Sequence, residues 1–213
     1  MAKKHKTFQL NKLPMDVGRV LLMVLIPWYR IKKTYICDKK EIKDLEGALI
    51  AANHSGFSDP FILNACFWYR RFFYTASEEV MEGTRGKFLR AAGCVKLDRT
   101  IADYEAIKKC VSILDEGYLL GIFPQGGIGG EGLKGGAVLM AARANVPIVP
   151  VHIEKREHWW QRERIALGKP IYISEVTDRR LPNKQDTEKV IELMESRYGE
   201  CRAAFAKGQQ DGC

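Results

Sequence analysis

The residues with the clearest chemical potential in this chain stand in the stretch AANHSGFSDP, at positions 51–60. His54 and Asp59 flank a short turn that directly follows an apolar run. A carboxylate that holds one ring nitrogen of a histidine leaves the other free as a base, and it stabilises the imidazolium once a proton arrives. Asp59 followed by Pro60 is also a common helix start, with aspartate as N-cap and proline at the first helical position. The two interpretations are compatible, because a capped Asp59 would be rigid enough to orient His54.

Two further stretches could contact an anion. IFPQGGIGGEGLKGGA, at positions 122–137, carries glycines that let backbone N–H groups approach a phosphate. It lacks the Lys-Ser/Thr pair of a Walker loop and the spacing of a dinucleotide fingerprint, so taken alone it also fits a flexible surface loop. AAGCVKLDRT, at positions 91–100, places Arg99 after a short predicted strand, and taken alone this is a surface arginine.

The elements that must position these residues alternate between apolar strands and amphipathic helices. Strands are predicted at 48–53, 71–77, 94–98, 118–124 and 146–153, with two short ones at 165–167 and 171–173. Helices are predicted at 60–69, 79–92, from 101 onwards, at 135–144 and at 184–206. The T-x-x-D spacing of Thr100 and Asp103 predicts a capping box at the third helix. This alternation predicts an α/β fold, a single-domain mixed and mainly parallel sheet flanked by helices, and in such sheets sites form beyond the carboxyl ends of strands.

Length and composition are those of one domain with a sizeable core, since the chain has 213 residues and is 46% hydrophobic. Its formal net charge of +8 suits a phosphate-bearing partner, although a solvated basic surface has the same composition. The six cysteines form no C-x-x-C pattern, which favours reduced thiols in a cytoplasmic setting. His152 and His158 lack the spacing of a zinc site, so no metal is expected.

The N-terminal residues 1–33 are unusual, because lysines and arginines surround the apolar run VLLMVLIPWY at positions 20–29. A helix of about ten residues is roughly 15 Å long, against about 30 Å of hydrocarbon, so the run is too short to span a bilayer. Pro27, Trp28 and Tyr29 also differ from the small residues of a signal-peptide cleavage site. The pattern favours a helical segment in the membrane interface over its alternative, a buried core helix. The expected division is therefore a membrane-interface segment at 1–33 and a domain at 34–213.

Four stretches in this order resemble the glycerophospholipid acyltransferase family, which includes lysophosphatidic acid acyltransferases. The family's N-H-x4-D block corresponds to NHSGFSD, its G-x-[IV]-x-[IVL]-x-R block to GCVKLDR, its F-P-E-G block to FPQG, and its V-P-[IV]-[IV]-P-V block to VPIVPV. LKGGAVLMA, at positions 133–141, is similar to the family's Lys-Gly helix start. The resemblance covers roughly 45–168. The tetrapeptide EGTR at 82–85 is read as a loop without a catalytic role, since it lacks the preceding Phe-Pro.

The resemblance implies transfer of an acyl group from acyl-CoA or acyl carrier protein, which act as co-substrates, to a lysolipid hydroxyl, without a cofactor. His54 would take the proton from the acceptor hydroxyl while Asp59 orients the ring, so no acyl-enzyme is needed. The residues expected to bind substrate are Asn53, Arg99, Phe123, Pro124, Gln125, Gly126 and Lys134, with the two cations holding the head group or the donor's phosphates. The implied setting is phospholipid synthesis by a peripheral or monotopic protein on the anionic, cytoplasmic face of a membrane.

This sequence departs from the family pattern in the third block. Gln125 stands where glutamate is usual, and Ile128 stands where an arginine often follows. The default acceptor is 1-acyl-glycerol-3-phosphate, while the departures leave open another lysophospholipid, a glycolipid or an acyl-amino-acid lipid. An inactive lipid-binding relative is the alternative from another class. Nucleic acid is not an expected partner, because the sequence lacks a recognisable nucleic-acid module.

Overall fold

The computed structural model describes residues 16–17, 31–56, 58–97, 104–125, 133, 135–154, 158 and 161–210. Its strands are β1 (Lys32–Tyr35), β2 (Ala48–Ala52), β3 (Phe72–Ser77), β4 (Cys94–Leu97), β5 (Leu119–Ile122), β6 (Ile148–Ile153) and β7 (Arg164–Leu167). Its α-helices are α1 (Lys39–Lys43), α2 (Asp59–Cys66), α3 (Gly83–Ala91), α4 (Tyr104–Asp115), α5 (Gly136–Ala144) and α6 (Lys184–Gln210). Two 3-10 turns cover Glu79–Met81 and Ile173–Glu175.

In the described part of the chain the strands form one seven-stranded sheet in the order β1-β7-β6-β2-β5-β3-β4. The five strands from β6 to β4 are mutually parallel, whereas β7 runs antiparallel to β6 and β1 runs parallel to β7. The prediction of a mixed, mainly parallel sheet flanked by helices is confirmed. β2 is the fourth of the seven strands and has a parallel neighbour on each side, so the chain leaves it for the His54 loop in the middle of the sheet.

The core lies on both faces of the sheet, and strand β2 shows how the sequence builds it. Leu49 and Ala51 pack on the face covered by α4, α5 and α6, while Ala48, Ile50 and Ala52 pack on the face covered by α1 and α2. All five residues are fully buried. A strand that is apolar without alternation is typical of a parallel sheet covered on both sides.

A glycine in β5 makes room for the aromatic side chains of β3. A Cβ atom at Gly121 would lie 2.5 Å from a ring carbon of Phe72 and 3.0 Å from one of Tyr74. Tyr74 donates a hydrogen bond from its hydroxyl to the carbonyl of Pro60, in the first turn of α2. The close approach at Gly121 therefore lets β3 fix the start of the helix that carries Asp59.

Several predicted elements differ from those observed. The strand expected at 171–173 is a single bridge between Ile171 and Ile148, followed by the 3-10 turn Ile173–Glu175. The helix expected at 79–92 is interrupted at Glu82, and α3 begins at Gly83, whose φ of 60° suits glycine. The EGTR stretch, predicted as a loop, therefore contains the first residues of α3. Strand β1 and helix α1 were not predicted.

The N-terminal segment lies largely outside the described residues, including the run at 20–29, and so does the capping box of Thr100 and Asp103. Asp16 is described, and it accepts two hydrogen bonds from the guanidinium of Arg71, at 3.1 and 2.7 Å. Strand β1 begins at Lys32, two residues before the domain start expected at Thr34. Among the described residues, no helix combines the length and the apolar character needed to cross a bilayer.

Candidate active site

His54 and Asp59 meet at the carboxyl end of β2. The His54 Nδ1 atom lies 2.7 Å from the Asp59 Oδ2 atom. Asp59 is buried, with 2% of its side chain exposed, whereas 17% of the His54 side chain reaches the surface. With Nδ1–H donating to the carboxylate, Nε2 keeps its lone pair and is the nitrogen available to a substrate. The predicted pairing of an imidazole with a carboxylate is thus present in the structure.

The Asp59 carboxylate holds the loop as well as the ring. Its Oδ2 atom accepts hydrogen bonds from the backbone N–H groups of Ser55, at 2.7 Å, and Gly56, at 2.9 Å. Three donors on one oxygen compensate the burial of the negative charge. They also fix the position of His54, since the residues that follow it are tied to the same atom.

The expected N-cap role of Asp59 is wrong. The helix α2 begins at Asp59 itself, Ser58 occupies the N-cap position, and no side chain caps the helix. The carboxylate turns back onto the loop, because its donors are the imidazole and two loop amides. Pro60 is the second residue of the helix, one position later than predicted, and still lies in its first turn.

Asn53 clamps the loop to the end of β6. Its Oδ1 atom accepts from the Ile153 N–H at 2.6 Å, and its Nδ2 atom donates to the Ile153 carbonyl at 3.0 Å. The same Nδ2 atom donates to the Ser55 hydroxyl at 2.9 Å. The side chain thus pairs with the backbone of Ile153 beyond the last residue of β2. These contacts give Asn53 a positioning role for the residues on either side of His54.

The residues after β5 pack against the histidine. The ring of Phe123 stacks on the imidazole, with centroids 4.2 Å apart and planes 18° apart. Phe123 and Pro124 are both buried. The Gln125 Oε1 atom lies 3.5 Å from the His54 backbone N–H, at the limit of a hydrogen bond. Phe123 therefore restricts the rotation of the imidazole, and Gln125 lies against its backbone.

Three of the expected substrate-binding residues, Arg99, Gly126 and Lys134, lie outside the described residues. The strands that lead to two of them are described. β4 ends at Leu97 and β5 at Ile122, and both are parallel to β2, so the chain leaves all three strands at the edge that carries His54.

Two tyrosines support the site and were not predicted to do so. Tyr198 of α6 donates a hydrogen bond to the carbonyl of Ala51, at 2.6 Å, three residues before His54. Tyr74 holds the start of α2 through the carbonyl of Pro60. A buried tyrosine hydroxyl needs a polar partner, so a tyrosine within an apolar pattern predicts that a hydrogen bond exists. That signal does not identify the partner, because the carbonyl of Ala51 is 147 residues away from Tyr198.

Three described groups, the thiols of Cys66 and Cys94 and the hydroxyl of Ser55, do not provide an activated nucleophile. Burial raises the pKa of the Cys66 and Cys94 thiols to about 12, which keeps both protonated at neutral pH. The Ser55 hydroxyl is engaged as an acceptor by the Nδ2 atom of Asn53. Within the described residues, no group of three His, Cys, Asp or Glu side chains could hold a metal ion. The chemistry that the arrangement supports is general-base catalysis by His54.

Comparison with known proteins decides the family. The family model described as Acyltransferase matches residues 33–154, which is more than half of the chain and includes the His54–Asp59 pair. The chain belongs to this acyltransferase family. It is an O-acyltransferase of lipid synthesis.

Two curated relatives are named 1-acyl-sn-glycerol-3-phosphate acyltransferase. The protein of Bacillus subtilis (strain 168) is 27% identical over 173 residues, which cover 78% of this chain and 86% of the relative. The protein of Streptococcus pneumoniae (strain ATCC BAA-255 / R6) is 28% identical over 163 residues, covering 73% of this chain and 62% of the relative.

A solved structure has the same fold. It is PlsC, the 1-acyl-sn-glycerophosphate (LPA) acyltransferase from Thermotoga maritima, which superimposes with a TM-score of 0.57 over 85% of this chain and 78% of that chain. The sequence identity between the two is 16%, so this comparison shows a shared fold alone.

Proposed function

We propose that this acyltransferase moves a fatty acyl group from the thioester of acyl-CoA or acyl carrier protein to the hydroxyl of 1-acyl-glycerol-3-phosphate. The observation that carries the proposal is the His54–Asp59 pair, 2.7 Å apart at the carboxyl end of β2. The acceptor is proposed from the names of the two curated relatives. Neither the donor nor the acceptor follows from the pair alone, because any hydroxyl could give its proton to His54.

The first half of the reaction uses the free Nε2 atom of His54. As the acceptor oxygen attacks the thioester carbon, its proton passes to Nε2, and the new C–O bond forms. The imidazolium is stabilised by Asp59, whose charge is already in place and needs no reorganisation. A positioned base of this kind contributes about 10²- to 10⁴-fold to the rate.

The second half breaks the C–S bond. The tetrahedral oxyanion collapses, the thiolate of the donor leaves, and the proton on His54 Nε2 neutralises it to a thiol. The imidazole returns to its starting state, so neither an acyl-enzyme nor a cofactor is required. Backbone N–H groups that follow Gln125, including that of Gly126, are proposed as donors to the oxyanion or to a phosphate.

The head group of the acceptor is proposed to bind between Arg99 and Lys134. A guanidinium can donate two parallel hydrogen bonds to a phosphate, whereas an ammonium acts as a point charge. The chain reaches Arg99 two residues after β4 ends at the catalytic edge, which supports this placement.

A different acceptor is the second candidate, and Gln125 is the observation that favours it. The amide keeps the capacity to accept a hydrogen bond but removes the negative charge of the family's usual glutamate. Ile128 also removes a cation that could bind phosphate. Both changes lower the charge around the head group, which suits another lysophospholipid, a glycolipid or an acyl-amino-acid lipid.

The acceptor lipids proposed here reside in membranes, so the protein is proposed to work at an anionic, cytoplasmic membrane surface. The basic and apolar residues 1–33 and the net charge of +8 support this location.

The test is an acyl-transfer assay with purified full-length protein. Two donors are tested, acyl-CoA and acyl carrier protein, each carrying a radiolabelled acyl group as its thioester. Each donor is offered with a panel of acceptors: 1-acyl-glycerol-3-phosphate, other lysophospholipids, a glycolipid and an acyl-amino-acid lipid. The expected result is a labelled phosphatidate that forms with wild-type protein and not with His54→Ala. Labelling of another acceptor alone would reject 1-acyl-glycerol-3-phosphate in favour of that lipid. Absence of labelling on every acceptor, with protein that melts cooperatively, would contradict the proposal.

A further inference from the structure

A concave site lies at the opposite end of the central strands from His54. This cleft of about 500 Å³ lies between the end of α5, the residues before β6 and the segment from 172 to 180. Its volume is within the usual range for small-molecule sites. The polar and aromatic residues that line it include Arg143, Asn145, Tyr172, Ser174, Arg179 and Arg180.

The cleft is positively charged. Three arginines line it, against the single carboxylate of Asp178. Arg179 and Arg180 are exposed, and within the described residues neither forms an ion pair. Arg143 lies with its guanidinium 4.8 Å from the centre of the Tyr104 ring, and it donates to the Tyr104 hydroxyl at 3.3 Å. This neutral partner orients Arg143 without cancelling its charge.

The segment that carries Arg179 and Arg180 is held in place by the start of α6. The Thr177 hydroxyl donates to the Asp186 carboxylate at 3.2 Å, and the backbone N–H of Arg179 donates to the same hydroxyl at 3.3 Å. Asp186 is itself buried and accepts from the Asn183 N–H at 3.1 Å. The turn before the two arginines is therefore ordered in advance, which lowers the entropy cost of binding an anion there.

The cleft also has an aromatic wall. Tyr172 remains 43% exposed although it follows the buried residue Ile171. Val146 and Ile173 line the cleft near it and pack partly on the core. An exposed ring beside apolar side chains can stack on a planar group, whereas the arginines can hold phosphates.

The site is separate from the catalytic pair. The cleft lies where β6 begins, at Ile148, and the neighbouring strand β2 runs from that edge to the His54 edge. Five residues of strand correspond to roughly 15 Å. A ligand in the cleft is therefore not in contact with the groups that perform acyl transfer.

We propose that this cleft binds an organic phosphate that carries at least two phosphate charges and a planar ring, the chemistry of a nucleoside diphosphate. Such a ligand is either a free nucleotide or the adenine nucleotide head group of a coenzyme A thioester. The second source rests on the proposed donor, whereas the binding itself does not depend on acyl transfer.

The test is calorimetric titration of the full chain with ADP and with pyrophosphate, at low salt. ADP is expected to bind saturably and more tightly than pyrophosphate, because only ADP can use Tyr172. Arg179→Gln/Arg180→Gln should weaken ADP binding by about tenfold or more, since each arginine provides charge-assisted hydrogen bonds. Tyr172→Ala should reduce the affinity for ADP to that for pyrophosphate. Lys39→Gln/Lys40→Gln removes the same charge from exposed lysines of α1 and should leave binding unchanged.

Two results would overturn the proposal: no saturable binding of ADP at millimolar concentration, or equal weakening in the arginine and lysine variants. Equal affinity for ADP and pyrophosphate would reject the planar ring.

His54→Ala should retain ADP binding, so failure of the proposed acyl transfer and failure of this site are distinguishable. Competition between ADP and acyl-CoA, with a raised KM for acyl-CoA in the arginine variant, would identify the donor's head group as the ligand. If ADP inhibits acyl transfer and excess acyl-CoA does not relieve this inhibition, the ligand of the cleft is a free nucleotide.

Discussion

At the scale of single residues, a buried carboxylate sets the direction of proton transfer. Asp59 receives the imidazole and two loop amides on one oxygen, so the ring has one orientation and one free nitrogen. His54→Ala should reduce kcat/KM by about 10²- to 10⁴-fold while the unfolding temperature hardly changes, because the ring is partly exposed. Steady-state kinetics and thermal melts of the purified variant measure both effects. Wild-type turnover in His54→Ala would remove the base from the mechanism.

Asp59→Asn separates orientation from charge. With its amide oxygen in the place of Oδ2, the asparagine can accept the same three hydrogen bonds, but it lacks the negative charge that stabilises the imidazolium. We expect kcat to fall roughly 100-fold or more with KM little changed. Asp59→Ala should in addition lower the free energy of unfolding by about 1–3 kcal/mol, since two partly buried loop amides lose their acceptor. An Asp59→Asn variant with unchanged kcat would show that the carboxylate only maintains the loop.

Gln125→Glu tests whether the head-group site is adapted to its acceptor. A carboxylate beside His54, without the arginine that usually accompanies it, adds repulsion to an anionic substrate and a desolvation cost. The single variant should therefore lower kcat/KM on the true acceptor. Gln125→Glu/Ile128→Arg is the matched variant, and a lysolipid panel is the measurement. A large gain on 1-acyl-glycerol-3-phosphate in the double variant, with the parent inert on every acceptor, would indicate decay of the site.

At the scale of elements, the active-site loop is joined to the sheet by a side chain that pairs like backbone. Asn53→Ala would leave the N–H and carbonyl of Ile153 without these partners, so the free energy of unfolding should fall by about 1–3 kcal/mol. Turnover should fall as well, because Asn53 adjoins His54. Asn53→Asp keeps the acceptor and loses both donor contacts. Its free energy of unfolding, measured by urea denaturation, should lie between those of the wild type and Asn53→Ala. Equal stability of all three proteins would show that the clamp contributes nothing.

Strand β6 contains a histidine that makes stability depend on pH. Burial, and secondly the charge of Arg202, lowers the pKa of His152 to about 4. An unfolded histidine binds its proton near pH 6.5, so between those values the unfolded state holds more protons and stability decreases as pH falls. His152→Gln should show a smaller loss of unfolding free energy between pH 7 and pH 4.5, measured by urea titration. An identical loss in both proteins would contradict this origin.

The central strands could be predicted from sequence, because residues 48–52 form an apolar run between Gly47 and Asn53, and residues 118–123 form another between Gly117 and Pro124. Strand β1 could not, since Lys32 and Lys33 read as part of the basic N-terminal segment, and its pairing with β7 depends on tertiary context. The His54–Asp59 pair was predictable because both residues belong to one short motif. The clamp by Asn53 was not, because its partner Ile153 is 100 residues away. Local spacing carries information on local contacts and little on distant ones.

At the scale of the whole molecule, the basic and apolar N-terminus predicts attachment to lipid. The protein should sediment with anionic vesicles, and high salt should weaken this, because lysines and arginines supply part of the binding. Replacing Leu21, Val24, Leu25 and Trp28 with serine should release the protein. Leu181→Ser, at an exposed leucine of the folded domain, is the control and should bind like the parent. A quadruple variant that still sediments would place the docking surface elsewhere.

Asp59 has a consequence for how this enzyme can diversify. The base, its carboxylate and the amides that hold them all lie within six consecutive residues, from His54 to Asp59. The residues proposed to recognise the acceptor, Arg99 and Lys134, come from separate parts of the chain. Catalysis and recognition are therefore modules that can be inherited independently. Exchanging the segments that contain Arg99 and Lys134 between relatives should transfer acceptor preference while the proton-transfer unit is passed on intact.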